Sequence, residues 1–243
     1  PQGTTFGASA LNGAIRYVMN EPELGAWDAR GFFDRTAVDR GDTDNAGAIE
    51  VNAPLGDSLV LRAAGVLQHV PGVNDNTQRG IRDADGRRKW SGRLLGKWQP
   101  TEDFTLGATF LKQSGRSYDL LVPNNPDGRR ESNTKPGTSD ILTSFETGLI
   151  DARYRFDSLG TLVLQGGLQK KHADTDLDAG LGPTGSRGIE SLRSSLLVTT
   201  EGRTAELRLV SPDGGRWNWI VGAFVLDYDV SSYGDAYAAY TQR

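Results

Sequence analysis

Residues 90–99 read Trp90-Ser91-Gly92-Arg93-Leu94-Leu95-Gly96-Lys97-Trp98-Gln99, and their alternation decides how the rest of the chain is read. One set is Trp90, Gly92, Leu94, Gly96 and Trp98; the other is Ser91, Arg93, Leu95, Lys97 and Gln99. Successive strand residues point to opposite sides, so a period of two separates an apolar face from a polar one. The same pattern recurs in GLIDARYRFD, where Gly148, Ile150, Ala152, Tyr154 and Phe156 oppose Asp151, Arg153, Arg155 and Asp157. FTLGATFLK and LVLQGGLQ repeat it, with Phe104, Leu106, Ala108, Phe110 and then Leu162, Leu164, Gly166, Leu168 on one side. Nine strands are expected, at 27–40, 46–53, 58–70, 89–99, 104–113, 147–157, 161–171, 201–211 and 216–230.

Composition agrees with strands and turns. Gly contributes 31 of 243 residues, well above its usual share of about 7%. There is no Cys, which excludes disulfides and thiolate metal sites, and only His69 and His172 could serve His-based catalysis. The net charge of -4 gives no reason to expect nucleic acid. No apolar run approaches the roughly 20 residues of a membrane helix, but a membrane β-barrel escapes such a search because only alternate residues face lipid.

Connections separate two readings of the strands. Tight turns stand at 54–57 (PLGD), 100–103 (PTED), 158–160 (SLG) and 211–215 (SPDGG), with the Pro, Asp and Gly that short hairpins require. Between them lie GDTDN at 41–45 and three long polar segments, 71–88, 114–146 and 172–200. In an up-and-down meander alternate connections share an end, so the short turns fall at one end and the long loops at the other. Outer-membrane barrels have that asymmetry, and their tilted strands need about 9–11 residues. Trp90 and Trp98 are eight residues apart, about 26 Å at ~3.3 Å per residue, and fit two aromatic girdles. Trp217 and Trp219, after a short turn, are expected at the periplasmic girdle. A soluble β-sandwich or barrel shares the alternation but would shield its Trp residues in a core.

The opening stretch PQGTTFGASALNGAIRYVMNEP then becomes readable. Pro1-Gln2-Gly3, Phe6-Gly7, Ala10, Gly13-Ala14-Ile15 and Pro22 resemble the end of the plug domain of TonB-dependent outer-membrane receptors. Ala8 and Asn12 depart from that pattern, standing where the family often has Arg and the first Gly of a pair. Glu206, Leu207, Arg208, Leu209 and Ser211, followed by Trp219, Gly222, Phe224 and Asp227, are similar to a later barrel hairpin of the same family. Gly3, Gly7 and Gly13 would supply the positive φ and close approach of a small domain folded in a confined lumen.

The resemblance implies an incomplete transmembrane β-barrel of about nine strands (27–243), preceded by the last part of a plug domain (1–26). It implies a 22-stranded whole and an outer-membrane location in a Gram-negative bacterium. The implied partners are lipid and lipopolysaccharide, the TonB complex, and a scarce small-molecule ligand such as an iron chelate. Nine strands cannot close such a barrel, and unpaired edges are prohibitive in lipid. The fragment alone is therefore expected not to insert as a transporter; heat-modifiable insertion of it alone would contradict this.

Charges on the non-lipid faces, Arg93, Lys97, Asp151, Arg153 and Arg155, are expected to line a polar lumen or meet the plug. Ligand contacts are sought in the long loops, with Tyr118, Asn124, Asn125 and Arg129 as candidates. The GRR triplets at 86–88 and 128–130 supply loop-end positive charge for an anionic ligand or lipopolysaccharide phosphates. Asp174, Asp176 and Asp178 echo an EF-hand loop, but Gly185 replaces its bidentate Glu, so a solvated acidic loop is expected. No catalytic constellation or cofactor is expected. Two other classes stay open: a passive porin-like barrel, which lacks a plug, and a soluble β-rich binding protein.

Overall fold

Pro, Asp and Gly at the short turns let the chain reverse tightly, and long antiparallel strands run away from each reversal. The computed structural model describes residues 18–39, 41–77, 79–119, 131–132, 139–178, 189–212, 214 and 216–240. Its strands are β1 (Asp28–Ala37), β2 (Thr43–Pro54), β3 (Leu59–Val70), β4 (Asp75–Asn76), β5 (Arg87–Trp98), β6 (Phe104–Ser117), β7 (Glu131–Ser132), β8 (Ile141–Phe156), β9 (Gly160–Asp178), β10 (Ile189–Val210) and β11 (Ile220–Tyr240). Nine of them form one antiparallel sheet in the order β1-β2-β3-β5-β6-β8-β9-β10-β11, while β4 and β7 make a short parallel pair among the loops. Among the described residues there is no helix. The sheet is not closed: β1 and β11 are its edges.

The expected nine strands are present in order, but several are longer than expected. Strand β10 runs to 22 residues and β9 to 19, so 172–178 and 189–200 of the expected loop 172–200 are strand, as are 114–117 and 141–146 at the ends of 114–146. The expectation of a solvated acidic loop is corrected: Asp174, Asp176 and Asp178 lie on β9. Both faces are polar at Ser114–Ser117 of β6 and at Asp174–Asp176 of β9, so no amphipathic period marks these extensions. Backbone ladders and cross-strand ion pairs such as Lys112–Glu146 (3.1 Å) continue the pairing.

Turn glycines fix the reversals. Gly160 has φ +100°, and a Cβ there would meet the Val210 carbonyl oxygen at 2.0 Å. Gly160→Ala is expected to cost about 1–2 kcal/mol, read as a lower urea midpoint with unchanged slope.

Directly paired residues share a face, so the register carries the Trp90–Trp98 face across the whole sheet. Along that face no Asp, Glu, Lys or Arg occurs in 29–33, 47–53, 59–67, 90–98, 104–110, 148–156, 160–168, 205–209 or 221–225. These stretches form one continuous apolar band. Its members are open to the outside: Phe33, Leu67, Leu168 and Val225 are each at least 60% exposed. By contrast Asn52, Val60, Arg62, Leu95, Val163 and Thr200 are buried, all on the opposite face. The opposite face thus buries polar Asn52, Arg62 and Thr200 beside apolar Val60, Leu95 and Val163, while the large side chains of the band stay exposed.

The band does not follow the rungs. Its upper border is the rung of Arg35, His69 and Arg88 over β1–β5. It steps down to Lys112, Glu146, Lys170 and Glu201, then to Arg203 and Asp227. The lower border moves the same way, from Trp98 to Phe104 and Phe156. The upper border drifts by four to six residues, about 13–20 Å at ~3.3 Å per residue, and the lower by two to four. The apolar stripe therefore crosses the strands obliquely, three to five side chains wide on each strand.

Candidate functional site

The polar face is organised by one side chain. Asn52, 1% exposed on β2, donates from Nδ2 to the carbonyls of Glu23 (2.8 Å) and Ala26 (2.6 Å). Its Oδ1 accepts from the Glu23 N–H (3.1 Å) and from Arg62 Nε (3.2 Å). Beside it Glu50 lies between two guanidinium groups, Arg62 at 3.5 Å and Arg93, and also accepts from Asn20 Nδ2 at 3.4 Å. Residues 20–26 are thus pinned to the polar face by a buried amide and a shared carboxylate. Such buried polar groups hold their place because each has a partner.

All five charges expected to share a face do so: Arg93, Lys97, Asp151, Arg153 and Arg155. A groove of about 280 Å³ runs between Val18, Met19, Glu21 and Pro22 on one side and Lys97, Asp151 and Arg153 on the other. Gly107 makes room for Asp151, since a Cβ there would stand 2.3 Å from its Oδ1. Arg153 pairs with Asp151 at 3.7 Å, and Arg155 reaches Asp103 at 2.8 Å. Glu50, Asn52 and Arg62 were not expected as a unit. A visible signal was Arg62, the one Asp, Glu, Lys or Arg in the strand Leu59–Val70.

Trp90 and Trp98 sit at opposite ends of the apolar face of β5, each 42% exposed. Trp219 closes the β10–β11 hairpin, its N–H donating to Ser211 Oγ (3.1 Å) and its carbonyl accepting from the Ser211 N–H (2.9 Å). Trp217 is 77% exposed at the same short-turn end. Gly3, Gly7 and Gly13 lie outside the described residues.

At the opposite end residues 71–77 and 79–86 fold over the ends of the strands. Asp85 Oδ1 accepts the N–H groups of Val73 (2.8 Å) and Asn74 (2.9 Å), and Asp75 accepts that of Asp83 (3.0 Å). Asn76 donates to Asp119 (3.1 Å), which Arg79 also approaches at 3.5 Å. Asp140 accepts from the Asp119 N–H (3.1 Å) and pairs with Arg116 at 2.6 Å. A cavity of about 550 Å³ opens here, lined among others by Arg79, Arg88, Arg116, Tyr118, Asp119 and Asp140. The Tyr118 ring faces two guanidinium groups, Arg116 at 5.0 Å and Arg88 at 5.8 Å. Of the four expected ligand contacts, Tyr118 lies in this cavity; Asn124, Asn125 and Arg129 lie outside the described residues. Of the two GRR triplets, 86–88 opens β5 and 128–130 lies outside the described residues. Among the described residues no group of three or more His, Asp or Glu is placed to hold a metal ion.

Burial, with Asp75, Asp42 and Asp85 nearby, pushes the Asp83 carboxyl above its usual range, Arg82 opposing. A raised folded-state value favours this loop below the ordinary Asp range, and that contribution is lost as pH rises through the raised value. Above the raised value the loop is therefore less favoured than below the ordinary Asp range. Asp83→Asn keeps a residue that tolerates the observed φ of +50°. It is expected to slow proteolysis of the loop, by no more than a few-fold, at neutral pH but not below about pH 4.

No protein-family model, curated protein or solved structure matches the chain. The class that stands is a nine-stranded, open, antiparallel all-β sheet with one apolar and one polar face.

Proposed function

We propose that the chain is part of a plugged outer-membrane receptor that takes up a scarce ligand, such as an iron chelate, with energy from the TonB complex. The observation that carries this reading is the oblique apolar band. Strands of membrane barrels tilt by about 35–45°, so a lipid slab of fixed thickness crosses the rungs at an angle and leaves such a stripe. Residues 18–26, the end of the plug segment in this reading, lie on the opposite, polar face. That face corresponds to the lumen, with Arg93, Lys97, Asp151, Arg153 and Arg155 along it. The loop-end cavity around Tyr118 is the ligand-facing mouth, and the edges β1 and β11 are where the remaining strands pair.

Transport by the intact receptor in a Gram-negative strain tests this reading. Uptake of a ferric chelate is expected to collapse when the inner membrane is de-energised. Uptake that continues unchanged under those conditions favours a passive porin-like barrel and overturns the proposal.

A further inference from the structure

We infer that the free edge of β11 is an interface for an antiparallel strand that sets a Lys or Arg against Asp229. The inference rests on the proposal that further strands of the whole receptor continue this sheet. On the apolar face, one rung through β6, β8, β9, β10 and β11 reads Lys112, Glu146, Lys170, Glu201 and Asp229. The first four alternate in sign and pair off, Lys112 with Glu146 at 3.1 Å and Lys170 with Glu201 at 2.7 Å. The alternation breaks at the edge. Among the described residues, Glu201–Asp229 is the one registered pair of the nine-stranded sheet that sets carboxylate against carboxylate. Like charges directly opposite destabilise a sheet. Arg203, the nearest cation on β10, stands directly opposite Asp227, and among the described residues Asp229 is exposed and forms no ion pair.

A cation arriving on the far side of Asp229 restores the alternation and offsets the repulsion from Glu201. A second copy offering its own β11 would bring acid to acid. A second copy offering β1 would lie parallel to β11, because direction alternates through the nine strands. Charge and direction together select another strand of the same receptor. Its outward residues are constrained as well. Below Asp229, β11 turns Asp227, Val225, Ala223 and Val221 to the apolar face, with Asp227 already facing Arg203. Read from the loop end at every second residue, the partner therefore carries a cation, one unconstrained position, and then apolar side chains opposite Val225, Ala223 and Val221.

Urea unfolding of the full-length protein in lipid vesicles tests this by the sign of one effect. Lys170 already neutralises Glu201, so with a cation in place Asp229→Asn loses more than it relieves. The folding equilibrium constant is then expected to fall by about threefold. With no cation there, the same substitution removes only repulsion and leaves the constant unchanged or higher, which overturns the inference. The outward pattern locates the facing residue, and a disulfide between Asp229→Cys and a Cys introduced at that position is expected to form. Replacing the facing cation by Gln is expected to cost about as much as Asp229→Asn, and the double variant no more than either. A neutral or acidic residue at that position, or a disulfide joining two copies through Asp229→Cys, overturns the inference. Recovery of the wild-type protein outside the membrane fraction would defeat the functional proposal itself. A membrane-inserted wild type whose Asp229 faces no cation defeats only this interface.

Discussion

Leu164→Arg is expected to destabilise the assembled protein by about 2–4 kcal/mol, whereas Gln165→Arg, one residue along, costs less than about 1 kcal/mol. Leu164 lies midway along the apolar face of β9, 50% exposed, between Ala152 and Leu207. A guanidinium there faces hydrocarbon at the midplane with no partner in its rung. Gln165 points to the polar face between Asp151 and Glu206, so a cation gains two acidic neighbours. Both substitutions introduce the same side chain into the same strand, which removes strand propensity and net charge from the comparison. Urea unfolding in lipid vesicles reads the difference. Equal losses at 164 and 165 would remove the distinction between a lipid face and a lumen face.

Asn52→Ala is expected to cost about 3 kcal/mol and to release residues 18–26 from the sheet. The substitution removes three hydrogen bonds to the backbone of Glu23 and Ala26 and the acceptor of Arg62 Nε, all at a side chain 1% exposed. Arg62 then turns wholly to Glu50, which already serves Arg93. Asn52→Asp keeps the acceptor for the Glu23 N–H and Arg62 but loses both donated bonds, so an intermediate loss is expected. Amide exchange at Glu23–Ala26 is the direct readout, with faster exchange in the order wild type, Asp, Ala. Unchanged protection in Asn52→Ala would mean that the segment is held by other contacts.

The apolar face was legible because the band puts different environments on its two sides. Trp90, Leu94, Phe110 and Leu164 recur at period two only where their neighbours Arg93, Thr109 and Gln165 take the other face. Beyond the band parts of β6 and β9 are polar on both faces, and the signal disappears there although the backbone ladder continues through Ser114–Ser117 and Asp174-Thr175. Strand ends were therefore underestimated there and not at the short-turn end, where Pro, Asp and Gly mark the reversals. At β11 the period fails for the opposite reason, since Ile220–Leu226 is apolar on both sides.

Sites assembled by register are harder to read. Asn52 gains its role from Glu23 and Ala26, more than 25 positions earlier, and an isolated Asn in a strand suggests only a turn preference. Lys112, Glu146, Lys170, Glu201 and Asp229 come from five strands separated by connections of unequal length, and only the observed pairing puts them on one rung. Tyr118 was singled out for its chemistry alone; the guanidinium groups against its ring come from β5 and from β6, the strand that precedes it.

The most direct test of a lipid-facing band is a nitroxide scan along β9, residues 161–170, in the full-length protein in outer-membrane vesicles. The chain has no Cys, so each introduced label is unique within it. Labels at 162, 164, 166 and 168 are expected to be reached by oxygen dissolved in lipid and protected from a water-soluble nickel chelate, with the reverse at 163, 165, 167 and 169. Equal access of the nickel chelate to both sets would contradict a lipid-facing band and return the sheet to an aqueous setting.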